Sequence, residues 1–305
     1  MFSSLFELMG MMFLLILSGF LLRKKNIITA AGKKCLTDII LYAILPCNII
    51  KAFSQDMGDN FWMKFMQVLI IAVVAQFLSL LIASFGYRKI ADGERQVYQY
   101  GTVCSNSGFM GNPLAEGVFG DIGLLYASVF LIPQRIVMWT AGVSYFQKGD
   151  HKADLYKKVL LHPCMIATYI GMIIMVFRIQ LPVVLDSTIR SVSNCCTAMT
   201  MMYIGTILVD VDVKTLLNKR QIYFAILRLI VIPLAVFAVC RICGINPLVM
   251  GVAVLLSATP AGSTTSLLAA KYGADEVAAA KSVVFTTLLS VITIPIWSTI
   301  LLSFL

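Results

Sequence analysis

Two stretches interrupt an otherwise apolar sequence with small, polar and helix-breaking residues. The first is Ser105-Asn106-Ser107-Gly108-Phe109-Met110-Gly111-Asn112-Pro113; the second runs from Ser257-Ala258-Thr259-Pro260-Ala261 to Gly262-Ser263-Thr264-Thr265-Ser266. Proline has no amide proton and its ring clashes with the preceding turn, and glycine weakens a helix, so each stretch predicts a helix broken part-way along. In hydrocarbon, an N–H or C=O freed by such a break stays costly until protein, water or ligand satisfies it. Ser, Thr and Asn side chains can do so. The half-helix that restarts after the break presents free amides and positive partial charge, which suits a carboxylate. The candidate binding residues are therefore Asn106, Ser107, Gly108, Asn112 and Pro113 in the first stretch, with Thr259, Pro260, Ala261, Ser263 and Thr264 in the second. Gly and Pro also kink ordinary spans, but two breaks at matching positions weigh against that plainer reading.

Ionisable residues inside apolar segments are the second kind of candidate, because a charge there needs a functional or pairing reason. Arg135 falls near the middle of a long apolar run and needs an anion, either Glu116 or a bound ligand. Arg228 is expected to snorkel to the nearer face, Lys281 to pair with Asp275 or Glu276, and Asp38 and Lys51 to sit at the two ends of their span. His162, ahead of Pro163, reads as a cap. Catalytic signatures are missing: there is no HExxH, no GxSxG and no carboxylate pair placed for hydrolysis. The eight cysteines lack zinc-type spacing with His and read as small buried hydrophobes. The sequence thus predicts no enzyme, no metal and no cofactor.

The elements that must position these residues follow from composition. Of 305 residues, 59% are hydrophobic and only 13% charged, against roughly half and a quarter in soluble domains. The surplus apolar surface must face lipid. An all-α polytopic membrane protein of ten transmembrane helices is expected, at about 5–22, 36–53, 65–86, 98–119, 124–146, 159–177, 187–208, 221–240, 248–270 and 279–303. The first run ends in Arg23-Lys24-Lys25 and reads as a span, not a cleaved leader. Loops after the odd-numbered spans hold sixteen Lys and Arg residues and the others five. That asymmetry puts the odd loops in the cytoplasm and both termini outside. It also explains the net charge of +9 without nucleic acid.

A repeat is visible. Val118-Phe119-Gly120-Asp121 and Tyr272-Gly273-Ala274-Asp275 each lead into a long apolar helix, and the glycines are 153 residues apart, about half the chain. Five spans per half is an odd number, so residues 1–150 and 151–305 would be inverted copies, and the broken spans four and nine would correspond. Inverted repeats with discontinuous helices meeting near the bilayer midplane are the architecture of secondary transporters.

The chain resembles the auxin efflux carrier family, the PIN-like transporters, and looks like a bacterial member. The resemblance rests on Asn106-Ser107-Gly108-Phe109-Met110-Gly111-Asn112-Pro113-Leu114, similar to the family's Asn-x-Gly-Phe-x-Gly-x-Pro-Leu, and on Thr259-Pro260-Ala261-Gly262 with Tyr272-Gly273. Leu45-Pro46, His162-Pro163 and Pro295 fit as well. It implies a scaffold of spans 1, 2, 6 and 7, a transport domain of spans 3–5 and 8–10, and crossed helices 4 and 9 with Asn106, Pro113 and Pro260 at or near the crossing. Elevator-type alternating access, small organic anions such as malate, malonate or auxin-like acids as substrates, a plasma-membrane location and a homodimer are implied on the same ground. The seventh span departs from the family pattern, with Ala198 ahead of Ile204-Gly205 where a proline is common. The competing reading is a cation-coupled carrier of related fold, a bile-acid symporter or sodium–proton antiporter using Na+ or H+. An antiporter would want an unpaired carboxylate at the crossing, and Glu116 is the one nearby.

Overall fold

The structure, a computed structural model, describes residues 2–54, 61–142, 144–146, 160–209 and 218–304. Among the described residues, twelve helices and a π turn at Met138–Gly142 make up the regular structure: α1 (Phe2–Lys24), α2 (Ala30–Phe53), α3 (Phe61–Gly86), α4 (Asp92–Val103), α5 (Ser107–Val137), α6 (Pro163–Val176), α7 (Val183–Asn194), α8 (Cys196–Leu208), α9 (Lys219–Ile242), α10 (Pro247–Ser257), α11 (Thr264–Tyr272) and α12 (Glu276–Leu302). The cytoplasmic loop expected at 147–158, residues 210–217 of the one expected at 209–220, and the repeat boundary at 150/151 lie outside the described residues.

Helix starts follow local chemistry. Thr29 caps α2 by accepting from Gly32 N, Asn246 caps α10 from Leu248 N, and Asp275 caps α12 from Ala278 N at 2.8 Å. His162 caps α6, as expected, its Nδ1 accepting from Cys164 N. Each cap satisfies one of the orphan amides of a first turn. Prolines inside helices leave a different mark. Widened π turns at Ile40–Ile44, Ser107–Gly111 and Leu227–Val231 each end two residues before Pro46, Pro113 and Pro233. A proline cannot donate to the carbonyl four residues back and its ring crowds that carbonyl, so the ladder shifts to longer bonds just ahead of it. In α9 the carbonyl left over by Pro233 is that of Leu229, and Trp297 Nε1 from α12 donates to it at 2.9 Å.

Among the described residues, five helices, α2, α3, α5, α9 and α12, are long and apolar enough to cross a membrane, and α6 and α10 are shorter apolar helices. The expected spans 36–53, 65–86, 221–240 and 279–303 fall in single long helices, and 5–22 falls in α1. Spans four and five are expected as separate helices at 98–119 and 124–146. The two meet across a break inside α5 at Gly120, whose φ 68° and ψ −161° are non-helical and easily adopted only by glycine. The seventh stretch is two helices, α7 and α8, parted at Cys195 without a proline.

Packing sorts the helices into neighbours. α1 lies along α8, and α2 lies against α6 and α7. α3, α4 and α5 pack with α9, α10 and α12. The α1–α8 contact is close because it is made through glycine. A Cβ on Gly19 would sit 2.0 Å from Met202 O, and one on Gly205 would sit 2.0 Å from Ile16 O. Small residues at helix crossings are how backbones approach where lipid offers no hydrophobic drive.

Candidate functional site

Both predicted interruptions are real breaks, and they meet. α4 stops at Val103 and α5 starts at Ser107; α10 stops at Ser257 and α11 starts at Thr264. The intervening segments pair as a short antiparallel bridge at Ser105 and Ala261. Asn106 N donates to Pro260 O at 2.7 Å and Gly262 N to Cys104 O at 2.9 Å. Ser107 Oγ binds Thr259 Oγ1 at 2.8 Å and donates to Leu256 O at 2.9 Å. Ala261 N donates to Thr286 Oγ1 of α12, and Gln76 Nε2 of α3 donates to Val103 O at 3.1 Å. Gln134 of α5 clamps Ser105, giving its Nε2 to the Ser105 carbonyl at 2.8 Å and taking the Ser105 hydroxyl at 2.9 Å. Neutral side chains and the partner strand thus satisfy most of the backbone groups that the breaks release.

This changes the chemical picture drawn from sequence. The amides of Asn106, Ala261 and Gly262 are already taken by protein. Ser107, Asn112, Pro113, Thr259, Pro260 and Ala261 are buried, and Ser107 and Thr259 spend their hydroxyls on the crossing. Gly108, Ser263 and Thr264 are partly exposed, and a Cβ on Gly108 would meet nothing, so the head of α5 is open at that point. Asn106 is 5% exposed, yet its carboxamide makes no hydrogen bond among the described residues. Asn112 is fully buried with both carboxamide atoms unpaired. Groups of that kind are costly to bury unless something binds them.

The charges are arranged differently from expectation. Arg135 and Glu116 do not pair. Glu116 is held by Lys51 of α2, Nζ to Oε1 at 2.6 Å, with Asn48 Nδ2 at 3.4 Å from its other oxygen; Lys51 also reaches Asp121 at 3.2 Å. Arg135, 7% exposed, turns toward α6 and donates to Thr168 Oγ1 at 3.4 Å. Glu116 and Arg135 stand on opposite sides of the break at Gly120, and spacing along the chain could not show that Glu116 meets α2 instead. Lys51 therefore is no simple interfacial anchor. Asp275 caps α12 and forms no ion pair with Lys281. Arg228 does not snorkel: it is 2% exposed in the middle of α9. Among the described residues there is no cluster of His, Cys, Asp or Glu able to hold a metal.

Interrupted helices whose breaks meet and satisfy each other's backbone groups are a feature of secondary transporters. The comparison with known families agrees: the model described as membrane transport protein matches residues 4–158 and 150–298, and the chain belongs to this family, that of the auxin efflux carriers. An uncharacterized transporter of Methanocaldococcus jannaschii is 24% identical over 300 residues, covering 95% of this chain and 96% of its own. An uncharacterized transporter of Methanothermobacter thermautotrophicus is 21% identical over 295 residues, covering 94% and 95%.

Proposed function

We propose that this protein is a secondary carrier of small organic anions, mono- or dicarboxylates, working by alternating access of the crossed helices. The carrying observation is Asn106: an almost buried carboxamide, without a partner among the described residues, at the head of a half-helix that opens at Gly108. Its amide N–H groups can face a carboxylate while the positive end of α5 stabilises the charge. In this reading the chain crosses the plasma membrane ten times as two inverted halves, with both termini outside. The charge asymmetry of its loops and the 153-residue offset of its breaks support that layout. α1, α2 and α6–α8 form the scaffold, and α3–α5 with α9–α12 form the moving body; the packing of neighbours supports this division. The cation–proton antiporter alternative is disfavoured because Glu116, its best carboxylate, is engaged by Lys51 and Asn48.

The test is uptake by proteoliposomes across a panel of small carboxylates, with and without sodium and pH gradients. Transport of at least one carboxylate is expected, and Asn106→Ala should lower it at least tenfold while leaving the unfolding temperature unchanged. Wild-type transport by Asn106→Ala removes this residue from the site. Failure of every carboxylate sinks the substrate class.

A further inference from the structure

The crossing has a second face, and there a cation stands without an anion among the described residues. Arg228 projects from the π turn Leu227–Val231 of α9, nine residues or about 13 Å from the start of that helix, too deep to reach water along it. It is 2% exposed. Its Nε is buried with no hydrogen-bond partner, and the side chain makes no hydrogen bond or ion pair among the described residues. Its titratable neighbours are Cys104 and Tyr87, both ordinarily neutral. Arg228 borders a small cavity with room for about one water molecule, walled also by Gln76 and Ser79 of α3, Ser105 at the break, Gln134 of α5 and Ser257 at the end of α10.

Most polar groups of that wall are matched to protein. Gln76 holds Val103 O, Ser79 holds Ala75 O, and Ser105 and Gln134 hold each other. The exceptions are Arg228 and Ser257, whose hydroxyl makes no hydrogen bond among the described residues. A guanidinium is always charged, and burying it without an anion is among the costliest arrangements a membrane protein can hold. A forked donor set beside a free hydroxyl fits one small anion, bidentate on Arg228.

We propose that Arg228 is an anion-binding residue of the crossing, holding in this cavity either a carboxylate or a chloride ion, with Ser257 as auxiliary donor. The inference deepens the carrier reading, since a carboxylate here would be one end of the substrate. Gln134 and Ser105, whose mutual hydrogen bonds close the wall, must turn aside to admit anything larger than a halide.

The experiment is thermal unfolding of the purified full-length protein titrated with sodium malonate, sodium acetate or sodium chloride at equal ionic strength, with neutral malonamide as control. A saturable rise is expected for the carboxylates, or for chloride if the anion is inorganic. Its midpoint concentration should rise at least tenfold in Arg228→Lys, and the response should vanish in Arg228→Gln. Ser257→Val, which narrows the cavity and leaves the charge, should also raise the midpoint several-fold, and it carries the test if the arginine variants do not fold. An unchanged midpoint in Arg228→Gln, or in Ser257→Val where that variant carries the test, overturns the proposal. So does a wild-type protein that ignores all three salts or responds equally to malonamide. Anion binding lost in Arg228→Gln alongside failed carboxylate uptake would keep this site and discard the carrier's substrate class.

Discussion

Lys51→Met removes the cation that ties α2 to the head of α5. Lys51 lies 2.6 Å from Glu116 and 3.2 Å from Asp121, with side-chain exposures of 11%, 24% and 46%. Removing one partner of a buried pair costs about 3–5 kcal/mol, mostly because the other charge is left behind. Glu116 is about a quarter exposed and keeps Asn48, so the expected loss is nearer about 2–3 kcal/mol. The Asp121 contact is close to an exposed pair, worth below about 1 kcal/mol. The assay is reversible unfolding in mixed micelles for a double-mutant cycle. Lys51→Met with Glu116→Gln should show a coupling of about 2 kcal/mol, and Lys51→Met with Asp121→Asn a coupling below about 1 kcal/mol. If the two couplings are equal, or the first is below about 0.5 kcal/mol, the assignment of Glu116 to Lys51 as an energetic pair is refuted. The pair also crosses from the proposed scaffold to the proposed moving body. Motion between them must break it, so the variant should shift the carrier's resting conformation, readable as altered labelling of a cysteine placed beside Gly108.

Gly205→Leu should abolish folding or cost at least about 2 kcal/mol, because α1 and α8 must separate, whereas Gly10→Ala, with open space around it, should be neutral or slightly stabilising. Trp297→Phe keeps the ring packing but orphans the Leu229 carbonyl behind Pro233; a loss of about 1–2 kcal/mol in the same unfolding assay is expected. Gly120→Ala forces a side chain into φ 68°, ψ −161°, and should cost about 1–3 kcal/mol; an unaffected variant would mean the bend relaxes freely.

Much of this was legible in the residues. Composition required a lipid-facing helical protein, and the Gly/Pro interruptions near 106 and 260 marked where helices break, because proline and glycine act locally, on the turn that contains them. The cap at His162 and the break at Gly120 follow from the same short-range chemistry, whereas the residues suggested Asp275 as a partner for Lys281 and the structure makes it the cap of α12. What tertiary structure decided was partnership. Helical spacing cannot say that Glu116 meets Lys51 from another helix, that Gln134 closes over Ser105, or that Arg228 is too enclosed to snorkel. Those outcomes depend on which helix faces are pressed together. Nor could the residues alone show that the freed amides of one break are largely spent on the carbonyls of the other: the two segments are over 150 residues apart in the chain, and only their antiparallel meeting determines which polar groups remain for a ligand.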